Sequence, residues 1–346
     1  MGDTLETIQA WDKSAWRQVD ALLAQEGICR DANLDYTCGL FDETGRLAAT
    51  GSAFGNTLRC FAVDQSRQGE GLMNQIISHL IEYQSEQGRF HLFVYTKVKS
   101  AKFFRDLGFY EIARVEGTLS FLENRPRGFQ DFCANLAKFR QEGTGAAIVM
   151  NANPFTLGHR YLVERAAAEN DAVHLFVLSE DASLVPFAVR WRLVTEGVAD
   201  LPNVVCHKSG PYIISSATFP SYFLKDEEAV ILGHARLDLE LFGSIARALG
   251  IAVRYVGEEP TSQVTGLYNQ VMTAELPKAG IRCTTVPRLE RDCVTVSAST
   301  VRKLIHDGRL EEIRSFVPDA TWTYFTSPEA APVIRAIQGN GQVIHY

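Results

Sequence analysis

Thr156 and His159 stand three residues apart in the stretch Asn-Ala-Asn-Pro-Phe-Thr-Leu-Gly-His-Arg, residues 151–160. If a helix starts here, that spacing sets a hydroxyl and an imidazole N–H on one face. Pro154 fixes the preceding turn, and Gly158 lets a ligand come close to the backbone. The first amides of such a helix are unpaired donors backed by the positive end of its dipole, which suits a phosphate. In-line attack on a phosphoryl group needs this arrangement, because each prepositioned donor is worth about 3 to 4 kcal/mol in the transition state. The dipole disfavours a cation, so His159 is expected to donate a hydrogen bond, as a neutral ring or one charged by the phosphate, and not to act as a base.

A second set, Val296-Ser297-Ala298-Ser299-Thr300-Val301-Arg302, follows about 140 residues later. Ser297, Ser299 and Thr300 can cap a helix while offering hydroxyls, and Arg302 brings a fixed charge for the β- and γ-phosphates of a nucleotide. Either stretch alone is compatible with simple helix capping. The two in this order are more specific.

The elements that must position these residues are legible from Ala146 onward. Strands are expected over Ala146–Met150, Val173–Leu178, Asn203–His207, Ala229–Leu232, Ala252–Val256 and Arg282–Val286. Helices are expected between them, over Leu157–Glu169, Phe187–Ala199, the stretch up to Leu249 and the stretch up to Lys278. Apolar runs alternating with helices read as buried parallel strands, hence a doubly wound α/β sheet with its ligands at the carboxyl ends of the strands. Residues 151–160 then lie where the first strand meets the first helix. Val256-Gly257-Glu258-Glu259 ends a strand on the same edge, with Gly257 expected against the adenine or ribose and the acids undecided.

Ahead of this domain, residues 1–122 mix short β-like runs (Cys38–Phe41, Leu58–Val63, Arg89–Tyr95) with helices over Gly71–Gln87 and Lys99–Leu107. Glu-Asn-Arg-Pro-Arg-Gly at 123–128 marks a boundary, and an amphipathic stretch after it makes 123–144 a linker helix. Three segments result: 1–122, 123–144 and 145–346.

With 346 residues and 46% hydrophobic composition, more than one core is expected. The net charge of −7 and the dispersed 34 Lys and Arg offer no basic stripe for nucleic acid. Seven scattered cysteines without Cys-x-x-Cys spacing predict reduced thiols and no protein metal site. The start lacks the charged and apolar regions of a signal peptide, and no run of about 18 apolar residues occurs. A cytoplasmic chain with no membrane partner is expected.

Asn-Pro-Phe-Thr-Leu-Gly-His resembles the (His/Thr)-x-Gly-His motif of the nucleotidylyltransferase superfamily, which moves AMP from ATP to an acceptor and releases pyrophosphate. Val296 to Arg302 is similar to that superfamily's second motif. The resemblance implies that Thr156 and His159 are catalytic. It implies ATP contacts from Asn153, Pro154, Phe155, Gly158, Gly257, Ser297, Ser299, Thr300 and Arg302, and from Arg190, where members often carry a basic residue, although a solvated helix charge reads equally well there. Mg²⁺ would accompany ATP, held mainly by the phosphates.

The whole chain resembles the citrate lyase ligase family, on residues 151–164, on Tyr-Ile-Ile-Ser-Ser-Ala-Thr-Phe-Pro-Ser-Tyr-Phe at 212–223 and on Val-Thr-Gly-Leu-Tyr-Asn at 264–269. This implies activation of acetate as acetyl-AMP, then acetylation of the thiol of the phosphoribosyl dephospho-CoA group on the acyl carrier (gamma) subunit of citrate lyase. Residues 1–122 resemble the GNAT acetyltransferase fold, whose Gly-rich pyrophosphate loop is matched by Gln68, Gly69 and Gly71. Met73 replaces a small residue of that loop, and Phe104 stands where many members carry a proton-donating tyrosine. Phenylalanine cannot donate, so this domain is expected to hold the CoA-like arm without catalysing, or to serve only as scaffold. Two alternatives are a GNAT-type acetyltransferase with a nucleotide-sensing domain and a nucleotide-binding regulator without chemistry.

Overall fold

The computed structural model describes residues 2–181, 183–213, 219, 227–258, 263–292 and 294–340. The chain divides into two compact units, Met1–Asp131 with Thr218–Glu240, and Phe132–Ala217 with Leu241–Tyr346.

In the first unit, seven strands make one mixed sheet: β1 (Thr4–Thr7), β2 (Tyr36–Phe41), β3 (Leu47–Phe54), β4 (Thr57–Val63), β5 (Phe93–Thr96), β6 (Tyr110–Val115) and β7 (Leu119–Glu123). Their order is β1-β2-β3-β4-β5-β7-β6, antiparallel throughout except between β4 and β5. Those two parallel strands pair only through Thr57 with Phe93 and Leu58 with Val94, and beyond these residues they diverge. Helices α1 (Lys13–Gln25), α2 (Leu72–Glu86) and α3 (Ala101–Asp106) lie in the same unit. α2 buries Leu72, Ile76, Ile77 and Leu80 at helical spacing against Leu40, Ala49, Leu58 and Val94 of the sheet. Each such side chain contributes about 1.5 to 3 kcal/mol. This helix-covered mixed sheet is an α+β fold. The strand expected from Arg89 starts only at Phe93, because the amide of Leu92 is taken by the Asn124 side chain.

α4 (Gly128–Ala137) carries the chain onward. The second unit has strands β8 (Gly145–Met150), β9 (Ala172–Val177) and β10 (Val204–Lys208), with helices α5 (Leu157–Glu169) and α6 (Phe187–Gly197) between them. After α7 (Glu227–Leu249) come β11 (Ile251–Gly257), α8 (Gln263–Glu275) and β12 (Arg282–Val286). These five strands form a parallel sheet ordered β10-β9-β8-β11-β12, that is third, second, first, fourth, fifth in the chain. The order reverses between β8 and β11, and the crevice at their carboxyl ends is the expected ligand position in such a sheet. A small ribbon of β13 (Glu290–Arg291) and β14 (Val294–Thr295) leads to α9 (Ala298–His306), α10 (Asp319–Phe325) and α11 (Ala331–Gln338). Ile148, Leu175, Val163, Val301, Ile305 and Phe325 share one core, so the late helices pack with the sheet that carries the first motif.

One expected strand is corrected. Ala229–Leu232 lies in the first turns of α7, because a short apolar run reads alike in a buried helix and a strand. Farther along the same helix, Leu237, Leu241, Ile245 and Leu249 are all buried at intervals of four. Of the run 212–223, only Tyr212, Ile213 and Phe219 are among the described residues, and Glu259 is outside them.

Candidate active site

β8 ends at Met150, and the loop after it turns the chain into α5, whose N-cap is Thr156. The Thr156 hydroxyl accepts from the His159 amide at 3.3 Å, and the Thr156 amide donates to His159 Nδ1 at 3.1 Å. This is a reciprocal cap in which histidine takes the third-position role usually played by Glu or Gln. Because Nδ1 accepts, the ring proton sits on Nε2. A neutral imidazole with an outward N–H donor results. Burial pushes the His159 pKa down to about 4, and the charges of Arg288 and Arg302 push the same way. His159 is therefore a neutral donor at physiological pH.

The second motif is built alike. Ser297 caps α9, its hydroxyl accepting from the Thr300 amide at 3.1 Å, with the hydroxyls of Ser299 and Thr300 each 2.9 Å away. Two features fasten this cap to the first. Arg302 Nη1 donates to the Asn153 carbonyl at 2.6 Å. A Cβ on Gly158 would lie 2.3 Å from the Val296 carbonyl oxygen, so only glycine lets the start of α5 sit against the segment leading into α9. Two helix N-termini, separated by about 140 residues of sequence, thus meet at the carboxyl edge of the sheet.

Several expected ligand contacts have other duties in this geometry. Gly158 admits a protein carbonyl where a ligand was expected. Phe155 is fully buried, its ring parallel to that of His159 and packed on Gly197, so its side chain is core. Arg190 is not a solvated charge. It is fully buried, with Nε on the Val185 carbonyl (3.0 Å), Nη1 on those of Asn151 (2.9 Å) and Leu178 (2.7 Å), and Nη2 on that of Glu180. Its role is to pin the loops after β8 and β9. Arg302 is 2% exposed, and burial lowers its pKa to about 10. Asn153 is buried, its Oδ1 accepting from the Val185 amide. Pro154 is buried beside it, while Gly257 stands exposed with open space where a Cβ would project. Arg288 had no motif around it and was missed; only its placement after β12 brings it forward.

The first unit holds a second site. Where β4 and β5 diverge lies a cavity of about 570 Å³, lined among others by Phe61, Gln68, Gly71, Lys97, Lys99 and Phe104. Gly69 and Gly71 have φ of 88° and 77°, and Gly71 caps α2, so the amides of a helix start face this space. Lys97 Nζ is held by the carbonyls of Glu26 and Gly27 at 3.0 Å each. Phe104 and Phe61, with ring centroids 5.3 Å apart, give the cavity an aromatic wall. It therefore has a donor-rich side and an apolar side.

Comparison with known proteins fits both halves. Residues 145–325 match the family model described as the citrate lyase ligase C-terminal domain. The citrate (pro-3S)-lyase ligase of Haemophilus influenzae is 37% identical over 88% of this chain and 93% of its own length. The chain belongs to the citrate lyase ligase family. The counterparts from Klebsiella pneumoniae and Escherichia coli are each 38% identical, over 90% and 85% of this chain and 93% and 86% of theirs. This kinship makes the chain an enzyme of the ligase class. No described helix is long and apolar enough to cross a membrane.

Proposed function

We propose that this ligase activates acetate with ATP and passes the acetyl group to the thiol of the phosphoribosyl dephospho-CoA arm on the acyl carrier subunit of citrate lyase. In the first step a carboxylate oxygen of acetate attacks the α-phosphorus of ATP. The bond to the bridging oxygen breaks, and acetyl-AMP and pyrophosphate form. In the second, the thiol sulfur attacks the acetyl carbonyl, AMP leaves, and the thiol proton is lost to solvent. The observation that carries this reading is the reciprocal Thr156–His159 cap, which holds an uncharged Nε2–H donor among the amides at the start of α5. Such a donor suits charge that develops on the phosphoryl oxygens and avoids the cost of keeping an imidazolium at a helix N-terminus.

Mg²⁺ would neutralise the phosphates when bound with ATP. Among the described residues no group of three His, Cys, Asp or Glu could hold a metal ion. The cavity of the first unit suits the CoA-like arm, its pyrophosphate on the amides around Gly69 and Gly71 and its apolar chain along Phe61 and Phe104. The decisive assay is exchange of labelled pyrophosphate into ATP. Exchange should require acetate and vanish in His159→Ala. Exchange that proceeds without acetate, or persists at full rate in that variant, would refute the proposal.

A further inference from the structure

The cavity of the first unit is basic along one part of its rim. Lys97, Lys99, Lys102 and Arg105 put four cations and no acid into nine residues of a chain whose net charge is −7. They lie on the turn that leaves β5 and on α3, whose Phe104 belongs to the aromatic wall. Lys97 and Lys99 both line the cavity. Lys97 is half-buried, its Nζ held by the Glu26 and Gly27 carbonyls. Lys99 is exposed, so it stands at the rim, and its side chain has no hydrogen bond or ion pair among the described residues. Two other charged groups of the lining are occupied: Arg67 is shared between Asp3 and Glu70, and Glu26 meets the Gln68 amide at 3.4 Å. Burial, and then the charge of Lys99, lowers the pKa of Lys97, so the two ammonium groups lie close enough to repel. An anion beside Lys99 relieves that repulsion. Phe103 is exposed on the same rim, an apolar surface of the kind a purine covers.

We propose that Lys99 binds the phosphate that the CoA-like arm carries beyond its pyrophosphate, and so selects phosphorylated CoA-type ligands over dephospho-CoA. This rests on the reading given above, that the cavity takes the arm, and deepens it. With the pyrophosphate on the amides around Gly69 and Gly71 and the apolar chain along Phe61 and Phe104, the nucleoside end of the arm is left at the rim. There the arm carries its phosphoribosyl group and CoA a phosphate on its ribose, whereas dephospho-CoA has neither. An ammonium on a flexible stem suits this role, because it meets a phosphate as a point charge without a fixed fork.

Calorimetry with CoA and dephospho-CoA tests this in the wild-type chain, in Lys99→Gln and in Lys99→Arg. Wild type should bind CoA about tenfold more tightly than dephospho-CoA; the ratio should fall to about one in Lys99→Gln and persist in Lys99→Arg. Equal affinities in wild type, or an undiminished preference in Lys99→Gln, would overturn the proposal while leaving the cavity as a CoA-type site. If wild type binds neither probe, the placement of the arm in this cavity fails, and the proposal with it. With the carrier as acceptor, KM should rise about tenfold in Lys99→Gln. An unchanged KM would show that Lys99 serves free CoA and not the arm, which also overturns the assignment. Should Lys99→Gln melt below wild type, chemical acetylation of the native chain decides: CoA must shield Lys99 better than dephospho-CoA does, and equal shielding refutes the role.

Discussion

His159 and Arg190 show how far residue type alone misleads about role. The imidazole is an obvious base by type, yet the Thr156 amide occupies Nδ1 and leaves Nε2 to donate. Thr156→Ala keeps that amide but removes the hydroxyl cap. It should cost about 1 kcal/mol of stability, read from urea melts, while slowing exchange more than that loss explains. Arg190, a cation by type, acts as a clamp on loop carbonyls. Arg190→Met should destabilise the chain by about 3 kcal/mol or more, because four backbone carbonyls lose a buried donor together. A variant that melts at the wild-type urea concentration but has a raised KM for ATP would show instead that Arg190 binds the substrate.

Between elements, the decisive contact is the start of α5 against the segment entering α9. Gly158→Ala places a methyl group well inside van der Waals contact distance of the Val296 carbonyl oxygen, so the two caps must part. Overpacking of this kind costs about 1 to 3 kcal/mol. Exchange should fall well below what the stability loss predicts, and unchanged exchange would separate the two caps functionally. Across β9 and β10, His174 Nδ1 and His207 Nε2 lie 3.0 Å apart in the core, and burial pushes both pKa values down to about 4, with His174 adding to the shift on His207. Unfolded histidines titrate near 6.5, so between these values the unfolded chain binds more protons. The stabilisation is complete above pH about 6.5 and is lost as pH falls toward 4, by at most about 3 kcal/mol per ring. Urea midpoints should drop between pH 7.5 and pH 5, and this slope should flatten in a His174→Leu, His207→Phe double variant. A flat wild-type profile would refute this account.

On the scale of the whole chain, each unit brings one site, and the two are separable by experiment. Replacing Gly69 and Gly71 by valine forces positive φ on β-branched residues. Pyrophosphate exchange should survive in that variant, while transfer of acetyl to the carrier falls at least tenfold; undiminished transfer in a folded variant would leave the first unit as scaffold alone. The sequence by itself determined what is local: the strand–turn–helix at 146–169, the Thr156–His159 pair, the cap at Ser297, and the alternation that demands parallel strands. Such features depend on spacings of a few residues, which helix and strand periods make readable. It could not tell the half-buried start of α7 from a strand, since both are short apolar runs. Only the tertiary structure decided that Arg302 reaches back 149 positions to Asn153, that Gly158 faces a carbonyl, that Arg190 serves the backbone, and that Arg288 is tied to the Glu258 carbonyl just past β11. Those roles are set by what the folded sheet brings together, and neither the distance between two strand ends nor the burial of a charge is written in any one segment of chain.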